Sequence, residues 1–161
     1  MNHLETVNSK IVDDQKLERE LNRARLIGKT IVFTNGCFDI LHRGHVEYLA
    51  QASDYGDILV LGLNSDASVR KLKGPRRPIN DEQSRATIMA SLKYVDFIYI
   101  FDEETPYSLI NRVQPDVLIK GGDYKIEDIV GYDIVTAKGG RVLTIPFVDG
   151  FSTTGLIEKM K

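Results

Sequence analysis

Two histidines, His42 and His45, are the side chains of this sequence best suited to chemistry, and they lie in the stretch FDILHRGH. A β-branched run (TIVFT) before them ends in Asn35-Gly36, which predicts a strand, a turn and then a helix that begins beside the histidines. A helix start offers unpaired N–H groups and the positive end of a dipole, so it favours anions. Two imidazoles there could donate hydrogen bonds to phosphate oxygens, and Gly44 between them would let a ligand approach the backbone closely.

The alternatives for this histidine pair are a metal site and a purely structural role. Three-residue spacing can place both rings on one side of a helix, but no cysteine pair completes a zinc set, and Asp39 is the only carboxylate close by. A lone histidine is ordinarily a surface or satisfied core residue, whereas a pair at this point of an α/β chain favours phosphate binding. We therefore assign no metal ligand. Cys37 has no evident base partner, so we interpret it as a small buried filler and not as a nucleophile.

A second candidate cluster is the basic stretch at residues 70–77, for which we expect a loop. It follows the second predicted strand and should therefore hang over the same sheet edge as the histidines. A flexible lysine is a good point-charge partner for phosphate, so Lys71 and Lys73 are candidate phosphate ligands. A charge run is ordinarily only a solvated loop, and from residue type alone we favour that interpretation for Arg76 and Arg77.

Two further loops follow predicted strands. The first, KGGDY at residues 120–124, contains paired glycines, which often mark only a turn but here could let a purine or ribose lie against the backbone. The second, DGFSTT at residues 149–154, leads into the last predicted helix. Ser152 or Thr153 would make an ordinary N-cap there, and cap hydroxyls can equally bind a phosphate, so both roles can hold at once.

Predicted helices and strands alternate along the chain, and these elements position the four loops. Periodicity, capping residues and short apolar runs predict helices at 12–26, 46–55, 81–93, 105–113, 126–138 and 153–160, and strands at 30–34, 57–63, 95–101, 116–120 and 141–146. The strand runs are continuous rather than alternating, which predicts a parallel sheet covered on both faces, an α/β sandwich. Ligands of such sheets bind beyond the carboxyl ends of the strands, where the four loops are expected.

Composition narrows the class of protein further. A length of 161 residues predicts one domain, with a leading helical segment at 1–28 and a core at 29–161. The formal net charge of -2 argues against a protein that coats nucleic acid. One cysteine cannot form an internal disulfide, and the sequence contains neither a signal peptide nor an apolar run long enough for a bilayer. We therefore expect a cytoplasmic protein that binds neither nucleic acid nor membrane.

Two common nucleotide-binding motifs are missing from the sequence. It contains no G-x-x-x-x-G-K-[ST] stretch, so a Walker-type NTPase is not supported. No G-x-G-x-x-G follows the first predicted strand, so binding of a nicotinamide dinucleotide is not supported either.

The motifs together resemble a known family. FDILHRGH is similar to the signature of the HxGH nucleotidyltransferase superfamily, and with TNGCFD, KGGDY and GFSTT the chain most resembles the adenylyltransferases that act on D-glycero-β-D-manno-heptose 1-phosphate. The resemblance covers about residues 29–161 and implies a Rossmann-like three-layer sandwich with a five-stranded parallel sheet of order 3-2-1-4-5. It also implies a homodimer and a Mg²⁺-assisted reaction of ATP with a sugar 1-phosphate that gives ADP-heptose and pyrophosphate, for lipopolysaccharide inner-core or related surface glycans. The sequence contains no fused sugar kinase, so we expect the stand-alone form.

The resemblance implies roles for individual residues. The expected catalytic residues are His42 and His45, which would contact the ATP phosphates and stabilise the reacting α-phosphoryl group, and Lys71. The expected nucleotide-binding residues are Asn35, Gly36, Cys37, Phe38, Gly44, Lys120, Gly121, Gly122, Asp123, Gly150, Ser152, Thr153 and Thr154. The expected substrate-binding residues are Asp39, Lys73 and Arg76.

Two alternative functions stay open at the level of sequence. One is a cytidylyltransferase acting on glycerol 3-phosphate or another small phosphate ester. That type carries Arg-Thr where this chain has Phe147-Val148, and an arginine where it has Lys93, which weakens the alternative. The other is a nucleotide-binding regulatory module without turnover, which could lose the catalytic histidines that this chain retains.

Overall fold

The computed structural model of the protein describes residues 1–160, which form five β-strands and eight α-helices. The strands are β1 Ile31–Gly36, β2 Ile58–Asn64, β3 Phe97–Phe101, β4 Val117–Gly121 and β5 Arg141–Ile145. The helices are α1 His3–Asn8, α2 Asp14–Leu26, α3 Arg43–Ser53, α4 Asp66–Lys73, α5 Glu82–Ala90, α6 Tyr107–Val113, α7 Tyr132–Ala137 and α8 Thr153–Lys159. None of the helices within residues 1–160 combines the length and the apolar character needed to cross a membrane.

The five strands form one parallel sheet of order β3-β2-β1-β4-β5, which confirms the predicted topology. β1 is central, since it pairs with β2 on one side and with β4 on the other. The chain winds outward from β1 in two directions, so the gap between β1 and β4 is the topological switch point at which such sheets bind ligands. The loop that carries the histidines follows β1 and opens at that point.

Helices cover both faces of the sheet, so the molecule has three layers. One buried apolar cluster joins the sheet to α3 and α5 through residues such as Leu49 and Met89. The other joins the opposite face to α2, α6 and α7 through residues such as Leu17 and Ile110. The central strands are therefore buried on both faces, which accounts for their continuous apolar runs and confirms the predicted α/β sandwich.

Two predicted elements differ from the structure by more than a few residues at their ends. The helix predicted at 126–138 is a 3₁₀ turn at Ile126–Asp128 followed by α7. The break falls at Gly131, whose φ of 90° lies in the left-handed region and cannot continue a right-handed helix. The basic stretch predicted as a loop begins as helix, because its first four residues complete α4, and only residues 74–77 are loop.

The leading segment contributes to the sheet as well as to the helical layers. α2 packs Leu17 and Leu21 against the sheet, as its amphipathic pattern predicts. The residues before α2 cross the outer edge of β3. There the Ile98 N–H donates to the Lys10 carbonyl at 2.8 Å, and the Val12 N–H donates to the Ile98 carbonyl at 2.9 Å.

Candidate active site

His42 and His45 lie face to face at the start of α3, within a stretch at residues 37–45 that we call the motif loop. Their ring centroids are 3.7 Å apart and the ring planes differ by 21°. His42 is the N-cap residue of α3, but its side chain caps no N–H group in the described part of the chain. The Nδ1 atoms of both rings are buried without a hydrogen-bond partner among residues 1–160. A buried polar atom without a partner costs about 1–3 kcal/mol, so these two adjacent atoms mark a place where a ligand or water gains favourable hydrogen bonds.

Both imidazoles are neutral at physiological pH. Burial is the main reason that the pKa of His45 falls to about 4, and the neighbouring His42 contributes, while the Ile40 backbone acts in the opposite direction. Burial also lowers the pKa of His42. Two stacked imidazolium rings would repel each other, so the pair resists double protonation. Each neutral ring still donates one hydrogen bond, which is what a phosphate oxygen requires.

Phe38 packs its ring against the ring of His45. Its buried ring meets the His45 ring edge to face, with the centroids 5.0 Å apart. The Phe38 backbone has a φ of 44°, a left-handed conformation that costs a bulky residue roughly 1–2 kcal/mol. Gly36 makes room for the ring, because a Cβ at that position would lie 2.7 Å from it. The structure therefore gives Phe38 a packing contact with the histidine, and its predicted place in the lining of the nucleotide site stays a prediction.

Asp39 anchors the loop that follows α4. Its side chain is 1% exposed, and its carboxylate accepts hydrogen bonds from Arg77 Nε at 2.6 Å and from the Ile79 and Asn80 backbone N–H groups at 2.8 and 2.9 Å. Burial alone would raise the pKa of this carboxyl, but the hydrogen bonds from Asn80, Ile79 and Arg77 hold it below its ordinary value. Because the carboxylate already accepts these hydrogen bonds, the structure supports a positioning role for Asp39, and its predicted contact with substrate stays a prediction.

Arg85 holds the motif loop from the other side, and we did not identify it in the sequence. Its side chain is 0% exposed and donates hydrogen bonds to the Cys37 and Asn64 carbonyls at 2.7 Å each and to the Asp66 carboxylate at 2.8 Å. These contacts join the motif loop to the end of β2 and the start of α4. The available signal was helical spacing, since Arg85 lies four residues before the buried Met89 on the apolar stripe of α5.

Two lysines bring positive charge to the motif loop. Burial lowers the pKa of Lys120 at the end of β4, and the nearby Lys73 ammonium lowers it further. Burial raises the pKa of the Cys37 thiol, and Lys73 is the nearby charge that most opposes that change. The three groups therefore share one neighbourhood, in which two ammonium groups repel each other until an anion joins them.

The structure separates Lys71 from Lys73. Both are exposed residues of α4, but residues two apart on a helix do not share a face. Lys73 is the one that lies near Cys37 and Lys120. Arg76 is exposed in the loop after α4. These observations support Lys73 as a phosphate ligand, and the catalytic role of Lys71 stays a prediction.

The glycine pair after β4 is covered by an aromatic ring. A Cβ on Gly121 would lie 2.8 Å from the Phe147 ring, and a Cβ on Gly122 would lie 2.9 Å from it. Gly122 also has a φ of 107°, which a larger residue would adopt only with strain. The Phe147 ring therefore packs on the backbone where we predicted a purine or ribose, and that nucleotide contact stays a prediction.

The segment before α8 closes against the histidines. A Cβ on Gly44 would lie 3.1 Å from the His42 ring and 3.2 Å from Phe151 Cβ, so these three residues are in close contact. The hydroxyl of Ser152 accepts a hydrogen bond from the Gly155 N–H at 3.0 Å, which confirms its predicted capping role. The other predicted nucleotide-binding residues are half-buried or exposed at this sheet edge: Asn35 and Gly36 end β1, Asp123 and Gly150 lie in loops, and Thr153 and Thr154 begin α8.

Comparison with known proteins identifies relatives over most of the chain. The bifunctional protein HldE of Syntrophotalea carbinolica is 54% identical over 158 residues, which are 98% of this chain and 32% of that protein. The bifunctional protein HldE of Geobacter metallireducens is 60% identical over 141 residues, which are 88% of this chain and 28% of that protein. The chain thus spans about a third of the length of these curated relatives.

Solved structures share the fold. The lipopolysaccharide core biosynthesis protein from Thermoplasma volcanium has a TM-score of 0.62 at 30% identity, over 75% of this chain and 98% of that chain. Pantoate-beta-alanine ligase from Francisella tularensis has a TM-score of 0.59 at 15% identity, over 91% of this chain and 75% of that chain, a likeness of fold alone. The family described as cytidylyltransferase-like matches residues 33–158, from β1 through the motif loop to α8, and the chain therefore belongs to the cytidylyltransferase-like family.

Proposed function

We propose that this chain is an adenylyltransferase that transfers AMP from ATP to a heptose 1-phosphate and releases pyrophosphate, giving ADP-heptose for lipopolysaccharide inner-core or related surface glycans. The observation that carries the proposal is the pair of buried, unpartnered imidazole nitrogens at the switch point of the sheet, within the described residues. The substrate class is supported by the motif resemblance and by similarity to the bifunctional HldE proteins and to a lipopolysaccharide core biosynthesis protein.

The proposed reaction is a direct displacement at phosphorus. An oxygen of the sugar 1-phosphate attacks the α-phosphorus of ATP in line and forms the new P–O bond. The bond from the α-phosphorus to the bridging oxygen breaks, and pyrophosphate leaves with that electron pair. The attacking phosphate is ionised at neutral pH and needs no general base, so catalysis consists of positioning and charge stabilisation.

The histidines supply donors where charge develops. Each neutral ring of His42 and His45 donates one hydrogen bond to the phosphate chain of ATP, and removal of such a donor costs about 3–4 kcal/mol in comparable oxyanion sites. A bound polyanion favours the charged form of a nearby imidazole and raises its pKa. The rings can therefore take up positive charge when the triphosphate binds.

The lysines neutralise the two phosphate-bearing partners. Lys73 is assigned to the phosphate of the sugar, and Lys120 stays with the nucleotide, as the sequence predicts. Their mutual repulsion, which lowers the pKa of Lys120, is relieved when phosphate groups enter between them. The hydroxyls of Ser152, Thr153 and Thr154 are assigned to the nucleotide phosphates on the basis of the motif resemblance.

Mg²⁺ is assigned to the substrate, as the ATP complex. Among residues 1–160 no three His, Cys, Asp or Glu side chains converge as a metal site, and the Asp39 carboxylate is occupied by Arg77 and backbone N–H groups. Mg²⁺ commonly keeps several waters and is held largely by substrate phosphates, so the residues present fit an ion that arrives on the nucleotide. The homodimer and the cytoplasmic location remain predictions, which light scattering and cell fractionation test.

The experiment that tests this function is pyrophosphate release by the purified chain. ATP and CTP are each offered with heptose 1-phosphate, as either anomer, and with glycerol 3-phosphate, with and without Mg²⁺. We expect ATP with a heptose 1-phosphate and Mg²⁺ to exceed every other pair by at least roughly tenfold in kcat/KM. Fastest turnover of CTP with glycerol 3-phosphate would support the cytidylyltransferase alternative. Silence with every pair would support the regulatory module.

A further inference from the structure

Phe147 is the most exposed aromatic side chain in residues 1–160, at 68%. Phenylalanine is among the residue types most often fully buried, so this ring presents an unusually open apolar face at the mouth of the candidate site. The ring is nevertheless held in place, because one edge of it packs across the backbone of Gly121 and Gly122. The glycine pair acts as a seat for the ring and leaves the rest of the ring open.

We infer that Phe147 is the residue on which the base of the nucleotide stacks. The inference rests on the proposed function, since that function supplies the nucleotide. It makes Phe147 a determinant of ATP affinity and, to a smaller degree, of the choice between purine and pyrimidine nucleotides.

The position of the ring relative to the histidines fits one nucleotide. The rings of Phe147 and Tyr48 both approach Gly121, and Tyr48 lies on α3, one turn after the histidine pair. Four residues after Phe147, the chain touches Gly44 through Phe151 Cβ. Four residue steps span at most about 14 Å, so Phe147 and Phe151 lie within that distance of each other. A nucleotide whose base stacks on Phe147 can therefore place its phosphates beside the histidines.

The chemistry of the ring selects the base over the other parts of the substrates. A phenyl face offers no charge and no strong hydrogen bond, and the charged groups have cationic or donor partners elsewhere, at Lys73, Lys120 and the histidines. A flat aromatic base gains stacking energy on such a face, whichever base it is. A purine overlaps more of the ring than a pyrimidine does, so the preference for ATP through this contact is modest.

Substitutions at Phe147 separate binding from chemistry. We expect Phe147→Ala and Phe147→Leu to raise the KM for ATP about tenfold and the KM for CTP by less, with kcat changed less than about twofold. Phe147→Tyr keeps the aromatic face and should keep the wild-type KM. An unchanged KM for ATP in both the alanine and leucine variants, or a fall in kcat alone, overturns the inference.

A fluorescence experiment tests the contact without turnover. The chain contains no tryptophan, so Phe147→Trp introduces a single reporter at the proposed platform. Titration with ATP in the absence of sugar phosphate should quench its emission, whereas inorganic tripolyphosphate, which has the charges without the base, should not. The matched control is Tyr55→Trp, an exposed aromatic position just past the far end of α3, which should not respond to ATP.

The outcomes distinguish this inference from the proposed function. Equal quenching by tripolyphosphate, or quenching by the sugar phosphate alone, overturns the base platform. If wild-type protein releases pyrophosphate from ATP while Phe147→Trp stays silent to ATP, the platform fails and the function stands. If Phe147→Trp responds to ATP while wild-type protein gives no pyrophosphate with any sugar phosphate, the reaction fails and the platform stands.

Discussion

The two halves of the motif loop treat buried polar groups in opposite ways. In the first half, the Asp39 carboxylate accepts one side-chain and two backbone donors, and Arg85 donates to the Cys37 carbonyl from outside the loop. In the second half, the Nδ1 atoms of His42 and His45 are buried and find no partner in the described structure. Burial is common to both halves, so what separates them is whether the protein itself satisfies the buried atoms.

This contrast shows how the molecule divides support from binding. The satisfied half fixes the backbone, which lets the other half hold two imidazoles 3.7 Å apart with unmet hydrogen-bonding capacity. Two unmet groups cost about 1–3 kcal/mol each, and such strain persists only where the surroundings over-determine the geometry. A ligand with several acceptor oxygens recovers that energy on binding.

Removing the donors that satisfy the first half of the motif loop should give the largest loss in the free energy of unfolding. We expect Arg85→Met to lower the free energy of unfolding by about 3–5 kcal/mol, because it leaves the Cys37 and Asn64 carbonyls unpaired and removes a buried ion-pair partner. Urea denaturation measures this loss. The control is Arg112→Met, which removes an exposed ion pair with Asp14 and should cost less than about 1 kcal/mol. Equal losses for the two variants would contradict the assignment.

Breaking the unsatisfied half should affect turnover and spare the fold. We expect His42→Asn and His45→Asn each to lower kcat by about 100- to 1000-fold, which corresponds to roughly 3–4 kcal/mol of transition-state stabilisation. The free energy of unfolding should stay within about 1 kcal/mol of wild type, since each change replaces an unpartnered buried polar group by another polar group. His3→Asn, in exposed α1, is the matched control and should leave kcat unchanged. Near wild-type turnover in either site variant would sink the catalytic assignment.

Lowering the pH should destabilise the folded protein through His45, in the second half of the motif loop. The pKa of His45 is about 4 in the folded protein and 6.5 when unperturbed, so between these values the unfolded chain binds more protons and stability rises with pH. From pH 7 to pH 4, wild type should therefore lose about 2–3 kcal/mol more than His45→Asn does. Urea midpoints of the two proteins at pH 7, 5.5 and 4 measure the difference. Parallel losses would show that the folded environment does not lower this pKa.

The smallest effect is expected from the lysines that serve the unsatisfied half. Lys73→Ala should raise the KM for the sugar phosphate about tenfold, because it removes a charge-assisted contact worth about 1.5 kcal/mol. Lys71→Ala, two residues away on the same helix, should change that KM less than about twofold. Initial rates at saturating ATP measure both. A larger effect at Lys71 would reverse the assignment that the structure supports.

Most of the fold could be predicted because its signals are local. The apolar runs of β1 and β2 announce strands buried on both faces, and the parallel sheet then places the loop with His42 and His45 at its carboxyl edge. The split of the predicted 126–138 helix was harder to foresee. A single glycine within a helical pattern is ordinarily tolerated, and only the left-handed φ of Gly131 breaks the helix here.

The details of the site depended on contacts between distant residues. The role of Asp39 could not be deduced from its neighbours, since the donors that fill its carboxylate lie 38 to 41 residues further along the chain. The spacing of Arg85 from Met89 indicated a buried position on α5. Because arginine is rarely buried, its charge argued against that position. The residues near Phe147 gave no sign that its ring would lie on Gly121 and Gly122, which are 26 and 25 positions earlier.

The leading segment covers part of an edge of the sheet and so disfavours pairing with another copy of the protein. β3 is an outer strand, and an outer strand presents unpaired backbone groups that can recruit a strand from a neighbouring molecule. Here residues 10–12 already occupy that edge at Ile98, where a parallel bridge to Ile11 adds one further rung to the sheet. Aggregation through this edge is thereby disfavoured. The first dozen residues thus help to keep the protein in solution at a place remote from the candidate active site.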